Sequence, residues 1–209
     1  AFDEIADLLD KADAVAVGCG LSQDDSTKTF VEKLIANRTQ PTIVDADALN
    51  LLSPFAGGAA KGESNATLIL TPHEREFMRL LGTDDKDVIK DRVAVVRDFA
   101  QKHNVILVLK GERVLIGEPG GKVVVNPTGN SGLGKAGNGD TLTGILAGFA
   151  AQAAAMETDM FETVVAAVYI AGLAGDIAEK KYGKRVMTAS DVRECLTEAF
   201  AQCEVENSC

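Results

Sequence analysis

Asn130-Ser131-Gly132-Leu133-Gly134-Lys135-Ala136-Gly137-Asn138-Gly139-Asp140 runs without a break into the apolar stretch 141–149. Four glycines in eleven residues let the backbone come close to a ligand, and the apolar stretch reads as a buried helix. A glycine-rich turn that opens a helix aims unpaired N–H groups outward, with the positive end of the helix dipole behind them. Phosphate is the usual guest. An acid at that place, Asp140, repels phosphate unless it has a task. The plainest task is to take a proton from a hydroxyl beside the phosphate that will react. A flexible surface loop in front of a core helix would look the same in sequence, and this stretch alone does not choose.

The segments before the loop set its context. Residues 113–117 and 122–125, separated by Glu118-Pro119-Gly120-Gly121, predict a β-hairpin. Val105-Ile106-Leu107-Val108-Leu109 is an apolar run ending in Lys110-Gly111. Asn65-Ala66-Thr67-Leu68-Ile69-Leu70 meets Thr71-Pro72-His73-Glu74, where Thr71 and Glu74 predict a capping box with proline at the first helical position. That helix should run from Pro72 to about Leu81 and stop at Gly82. Thr42-Ile43-Val44 ends in Asp45-Ala46-Asp47, and Ala14-Val15-Ala16-Val17 ends in Gly18-Cys19-Gly20. Each run is apolar in both phases, as a parallel strand covered on both faces must be.

Helical spacing fills the intervals at 1–11, 25–37, 87–103, 162–180 and 188–203. Val88, Val93, Val96 and Phe99 are the expected core positions of 87–103, and His103 at its polar end is expected to be solvated. Thr188-Ala189-Ser190-Asp191 predicts a cap for the last helix. The alternation gives an open α/β sheet with helices on both faces, in which ligands bind beyond the carboxyl ends of the strands. The informative residues stand at those ends: Gly18 and Gly20, Asp45 and Asp47, Thr71 and His73, Lys110 and Gly111, then the glycine loop. Asp45 and Asp47 read either as a cap and a solvated acid or as a pair holding Mg²⁺ through water. Lys110 reads either as a surface lysine or as one that reaches a phosphate. The loop lacks the spacing G-x-x-x-x-G-K-[ST], so Lys135 is not a P-loop lysine. Its formal G-x-G-x-x-G at 132–137 follows a hairpin, which excludes a dinucleotide fold.

Bulk properties narrow the partners. The 209 residues carry 21 basic and 31 acidic side chains, and 21 − 31 = −10. That charge argues against nucleic acid or an anionic membrane as the main partner and leaves room for a small nucleotide. The length favours one domain over 1–209. Cys19, Cys195, Cys203 and Cys209 have no metal-ligand spacing, so no metal site is assigned to them, and reduced thiols suit a cytoplasmic protein. Ala1-Phe2-Asp3-Glu4 is acidic where a secretory leader would be basic. The apolar run 145–156 is broken by Gly148 and Gln152 and falls short of a bilayer span. The Ala-rich stretches 145–155 and 164–174 fit either core or the interface of a homo-oligomer.

Taken together, Val17-Gly18-Cys19-Gly20-Leu21, Val44-Asp45-Ala46-Asp47-Ala48-Leu49-Asn50, Leu70-Thr71-Pro72-His73-Glu74, Val108-Leu109-Lys110-Gly111, Asn126-Pro127-Thr128-Gly129-Asn130 and Gly137-Asn138-Gly139-Asp140 resemble the ADP/ATP-dependent NAD(P)H-hydrate dehydratase family. The resemblance covers about 13–190 and implies a ribokinase-like fold. It implies Asp140 as catalytic base, and Gly20, His73 and Asp140 around the hydrated nicotinamide dinucleotide. Lys110 and Gly111, with Asn130, Gly137, Asn138 and Gly139 of the loop, would bind ADP or ATP, with Mg²⁺ as cofactor. The same fold also hosts small-molecule kinases of the hydroxyethylthiazole-kinase type, and a nucleotide-binding module without catalysis is a further alternative. Lys135 stands where the family pattern has a small residue. Members also begin with further strands and helices, none of which precedes Ala1, so the chain is expected to be N-terminally short.

Overall fold

The structure, a computed structural model, describes residues 2–56 and 66–206. Among the described residues, six strands form one sheet in the order β1 (Val15–Val17), β2 (Thr42–Val44), β3 (Leu68–Leu70), β4 (Ile106–Leu109), β5 (Leu115–Gly117) and β6 (Val123–Val125). β1 to β4 are parallel, with Val17 beside Val44, Val44 beside Leu70, and Leu70 beside Leu107. β5 runs antiparallel to β4, and the expected hairpin pairs Leu115 with Val125 and Gly117 with Val123. Asn65, expected to open the third strand, lies outside the described residues.

The strands explain why both faces carry helices. Val44, Leu68, Leu70, Leu107, Leu109 and Leu115 enter one cluster, while Ile43, Ile69, Ile106, Val108 and Ile116 enter another. This is period-two alternation with both phases apolar. The first cluster is closed by α1 (Phe2–Leu9), α2 (Asp25–Ala36), α3 (Ala46–Leu51), α4 (Glu74–Leu81) and α5 (Arg92–His103), through residues such as Ile35, Leu49, Phe77 and Phe99. The second is closed by α6 (Asn138–Met156) and α7 (Met160–Tyr182), through Leu146, Ala150, Val164 and Val168. Each Val, Leu, Ile or Phe among them, fully buried, contributes about 1.5–3 kcal/mol. α8 (Ala189–Glu194) and α9 (Leu196–Glu206) lie on α7 around Val192, Cys195 and Ala199. α7 is long and apolar enough to cross a bilayer, yet half of that stretch is buried against the sheet and its neighbours.

Three local expectations are corrected. The helix after β3 begins at Glu74, and its box is His73 with Glu76, not Thr71 with Glu74. Sheet pairing keeps the chain extended one step longer: the Thr71 amide and hydroxyl both donate to the Val44 carbonyl, and His73 bridges to Lys110. His73 Nδ1 then accepts from the Arg75 and Glu76 amides, while the His73 amide donates to Glu76 Oε2 at 2.8 Å. The expected helix 87–103 is split: Lys86–Ile89 is a 3-10 turn, and Asp91 caps α5 by accepting from the Ala94 amide. Val88 is therefore exposed, whereas Val96 and Phe99 are core.

His103 is the third correction. It is buried, with its ring centroid 4.4 Å from Phe99 and 5.1 Å from Phe55. Burial, then the charge of neighbouring Lys102, holds its pKa below the usual 6.5. The unfolded chain takes up this proton at a higher pH than the folded one. Stability from this site is thus intact above 6.5 and is lost as pH falls through 6.5 toward the lower folded value. His103→Phe is expected to flatten the slope of urea midpoint against pH between about pH 7 and pH 5, a window set by the free imidazole.

Candidate active site

The carboxyl ends of β1 to β4 meet the start of α6, and Asp45 is at the centre of the meeting. It is 2% exposed. Its Oδ1 accepts from Lys110 Nζ at 2.7 Å, and its Oδ2 accepts from Thr143 Oγ1 of α6 at 2.9 Å. Gly139 lies against the same group: a Cβ there would stand 3.6 Å from Asp45 Oδ2 and 3.7 Å from Lys110 Nζ. On the β1 side, Gly18 passes so close that a Cβ would fall 1.9 Å from the Asp45 carbonyl oxygen, and its φ is +126°. Only glycine fits that crossing. The turn after it is unusual throughout, with Gly20 and Ser22 also at positive φ. His73 touches the end of β4 as the bridge partner of Lys110.

The rim residues expected from sequence therefore divide. Gly18, Asp45, Lys110 and Gly139 converge, joined by Thr143, which the sequence did not single out. Asp140 opens onto solvent in the first turn of α6, with Cys19 beside it. Burial of the thiol, then Asp140 and Asp45 nearby, pushes Cys19 up to about 11, so it stays a neutral thiol near pH 7 although the residue as a whole is exposed. Gly20 faces open space on the β1 turn. Gly111 lies against the Arg92 guanidinium, where a Cβ would meet Nη2 at 2.5 Å. Asp47 is used locally, accepting from the Ser22 amide and from Gln23 Nε2. With Asp45 also engaged, the pair does not form an open Mg²⁺ site. Among the described residues no three His, Cys, Asp or Glu side chains cluster as metal ligands.

The glycine loop is built from the far side. Asn130 Oδ1 accepts from the Gly132 amide, and its Nδ2 donates to the Gly175 carbonyl and to Asp176 Oδ1. Asp176 Oδ2 takes the Gly129 amide at 2.8 Å. The loop can approach α7 because Gly172 and Gly175 have no side chains; a Cβ at Gly172 would fall 2.2 Å from Thr128 Oγ1. Gly137, at φ +86°, turns the chain into α6 without a side-chain cap. Within the described residues no hydrogen bond takes up the Gly139 or Asp140 amide, and the buried Asn138 Oδ1 has no partner. The two amides are the free donors of a helix start that suits an anion, whereas the Asn138 oxygen is an acceptor. Asn130 supports that start from behind, its side chain fully occupied.

Two residues of this support are not evident from sequence. Asp176 sits in the middle of an apolar helix, and only its 46- and 47-residue reach to Asn130 and Gly129 reveals its purpose. Lys135 is the other. Its ammonium donates to the carbonyls of Lys184, Arg185 and Met187 at 2.8, 2.9 and 2.8 Å, fixing the loop to the turn before α8. All three of its protons are used, which leaves none for a phosphate. Lys135→Met is expected to lower stability by about 1–3 kcal/mol in urea melts, since three carbonyls lose a charged donor. Loss of ligand affinity with stability unchanged would instead make Lys135 a ligand residue.

Comparisons with known proteins agree with this architecture. A family model described as NAD(P)H-hydrate dehydratase matches residues 2–198. A bifunctional NAD(P)H-hydrate repair enzyme Nnr from Moorella thermoacetica is 39% identical over 208 residues, covering 99% of this chain and 38% of that protein. An ADP-dependent (S)-NAD(P)H-hydrate dehydratase from Neisseria meningitidis is 36% identical, covering 87% of this chain and 63% of that protein. The chain thus spans less than two thirds of the length of these relatives. Among solved structures, the ADP/ATP-dependent NAD(P)H-hydrate dehydratase from Bacillus subtilis, co-crystallized with ATP/Mg2+ and soaked with CoA, superposes with a TM-score of 0.79 at 29% identity, covering 91% of this chain and 66% of that one. The fold is ribokinase-like. By the match to nearly all of its length, this chain belongs to the NAD(P)H-hydrate dehydratase family.

Proposed function

We propose that this chain carries out the dehydration of hydrated NADH and NADPH at the expense of ADP or ATP, restoring the reduced nicotinamide. The observation that carries the proposal is the placement of a solvent-facing carboxylate, Asp140, in the first turn of a helix whose neighbouring amides are free. An acid on an anion site has a use when a hydroxyl must be deprotonated next to a phosphate. All of the converging residues stand on one six-stranded sheet and its helices, which supports treating 1–209 as one ribokinase-like domain.

In this mechanism Asp140 takes the proton of the ring hydroxyl, and that oxygen attacks the terminal phosphorus of the nucleotide. The bond from phosphorus to the bridging oxygen breaks, leaving AMP from ADP or ADP from ATP. The ring carbon–oxygen bond then breaks, phosphate departs, and a neighbouring ring carbon gives up a proton as the double bond returns. Phosphorylation converts hydroxide, a poor leaving group, into a good one. The amides of Gly139 and Asp140, with the α6 dipole, hold the phosphoryl oxygens. Lys110 and Gly111 border the nucleotide, and Gly20 and His73 border the hydrate.

The donors present suit Mg²⁺ carried in by the nucleotide's phosphates rather than a closed protein cage. Beside the base, the oxygen left for it at the same helix start is Asn138 Oδ1. When bound it would offset charge on the phosphoryl group. Cys19 and Cys195 are free thiols, which fits a reducing compartment such as the cytoplasm.

The test is a product assay. The chain is incubated with hydrated NADH, ADP and Mg²⁺, and recovery of reduced-nicotinamide absorbance and release of phosphate are followed together. The expected result is one phosphate per nicotinamide restored. Phosphorylation of a small alcohol with no effect on the hydrate would assign a kinase, and nucleotide binding without turnover would assign a binding module.

A further inference from the structure

Asp45 occupies the N-cap position of α3, where an aspartate ordinarily accepts from its own helix, yet its side chain makes no cap bond. The turn after β1 does that work instead: the Gly18 carbonyl accepts from the Asp47 amide at 3.2 Å. It can reach because Gly18 has no Cβ to strike the Asp45 carbonyl. The Asp45 carboxylate is thereby free for partners 65 and 98 residues away, Lys110 and Thr143. A buried carboxylate that leaves a local bond unmade and spans three elements is a costly arrangement for a mere cap, because a buried charge must be fully paired.

We infer that Asp45 is a positioning residue, a strut that sets the nucleotide-side Lys110 and the base-bearing first turn of α6 at a fixed spacing. Thr143 follows Asp140 by three residues, so the two lie on neighbouring positions of one helical face. One oxygen of Asp45 holds Lys110 back from solvent, and the other holds the turn from which Asp140 projects. Gly139 fits between them without a side chain. Two groups that must act on one phosphoryl group are thus referenced to a single buried carboxylate. This inference rests on the proposed dehydration.

The test separates placement of the base from binding of the nucleotide. Thr143→Val removes one bond to Asp45 and keeps the shape. It is expected to lower kcat about tenfold while the KM for ADP stays within about twofold, since an error of about 1 Å in placement costs up to a hundredfold. Thr143→Ser is expected to restore kcat to within about twofold, because the hydroxyl returns. Asp45→Asn is expected to lower kcat and raise the ADP KM together, since Lys110 loses its anchor. The double variant Asp45→Asn with Thr143→Val should lose no more kcat than Asp45→Asn alone, the sign of one shared link. Wild-type kcat in Thr143→Val, equal losses in Thr143→Val and Thr143→Ser, or simple addition in the double variant would overturn the strut. A wild-type chain that does not turn over the hydrate would overturn the proposed dehydration and this role with it, whereas an active wild type with an indifferent Thr143→Val would overturn the strut alone.

Discussion

Asp140→Asn is expected to reduce kcat for hydrate dehydration by about a thousandfold or more, a general base contributing some 10²–10⁴. The ADP dissociation constant is expected to change by less than about threefold and, if anything, to tighten, because a negative charge leaves the anion site. The reason lies in the division of labour at the α6 start. In the proposed mechanism binding falls to the amides of Gly139 and Asp140, which the substitution preserves, and proton removal to the carboxylate, which it deletes. Asparagine is the same size and keeps the first-turn geometry, so a fall in kcat reports chemistry and not packing. Calorimetric titration with ADP beside the turnover assay separates the two. Equal losses in affinity and kcat would show that Asp140 acts by binding.

Gly18→Ala is expected to be the most damaging single added methyl group among the described glycines. The added carbon would lie 1.9 Å from the Asp45 carbonyl oxygen and 2.9 Å from Ala48 Cβ, in a backbone at φ +126°. Overpacking costs about 1–3 kcal/mol and the unfavourable φ a similar amount, so a loss of about 3 kcal/mol or more is expected. For a chain of this size that lowers Tm by about 6–12 °C. Relief of the clash must move β1 or α3, and either movement displaces Asp45 from Lys110 and Thr143. Activity should therefore fall in the fraction that remains folded. Gly20→Ala, where nothing lies within 4 Å, is the control: it carries only the strain of φ +64° and should cost clearly less.

Much of this arrangement was legible in the residues. Both-phase apolar runs specify four parallel strands and their coverage by helices, and the strand-end rule puts Gly18, Asp45, Lys110 and the glycine loop on one rim. What escaped depends on contacts far apart in sequence. The boxes Thr71-x-x-Glu74 and His73-x-x-Glu76 overlap two residues out of phase, and only the Thr71 bonds to Val44, 27 residues away, decide between them. His103 looked solvated because its neighbours in sequence are polar, but its neighbours in space are Phe55 and Phe99. Lys135 had no role legible in the loop, because the carbonyls that claim it lie 49 to 52 residues on. Asp45 and Asp47 read either as a cap and a solvated acid or as a Mg²⁺ pair, and instead one is turned into the rim and the other into the β1 turn.

In the proposed dehydration the ring hydroxyl becomes a phosphate ester before it leaves. Hydrated NADH carrying a heavy-oxygen label in that hydroxyl tests it in one measurement, with mass analysis of the inorganic phosphate released during turnover with unlabelled ADP. The mechanism predicts one labelled oxygen in each phosphate released, because the oxygen that attacks phosphorus is the one that departs from the ring. Label recovered in water, with unlabelled phosphate, would contradict it.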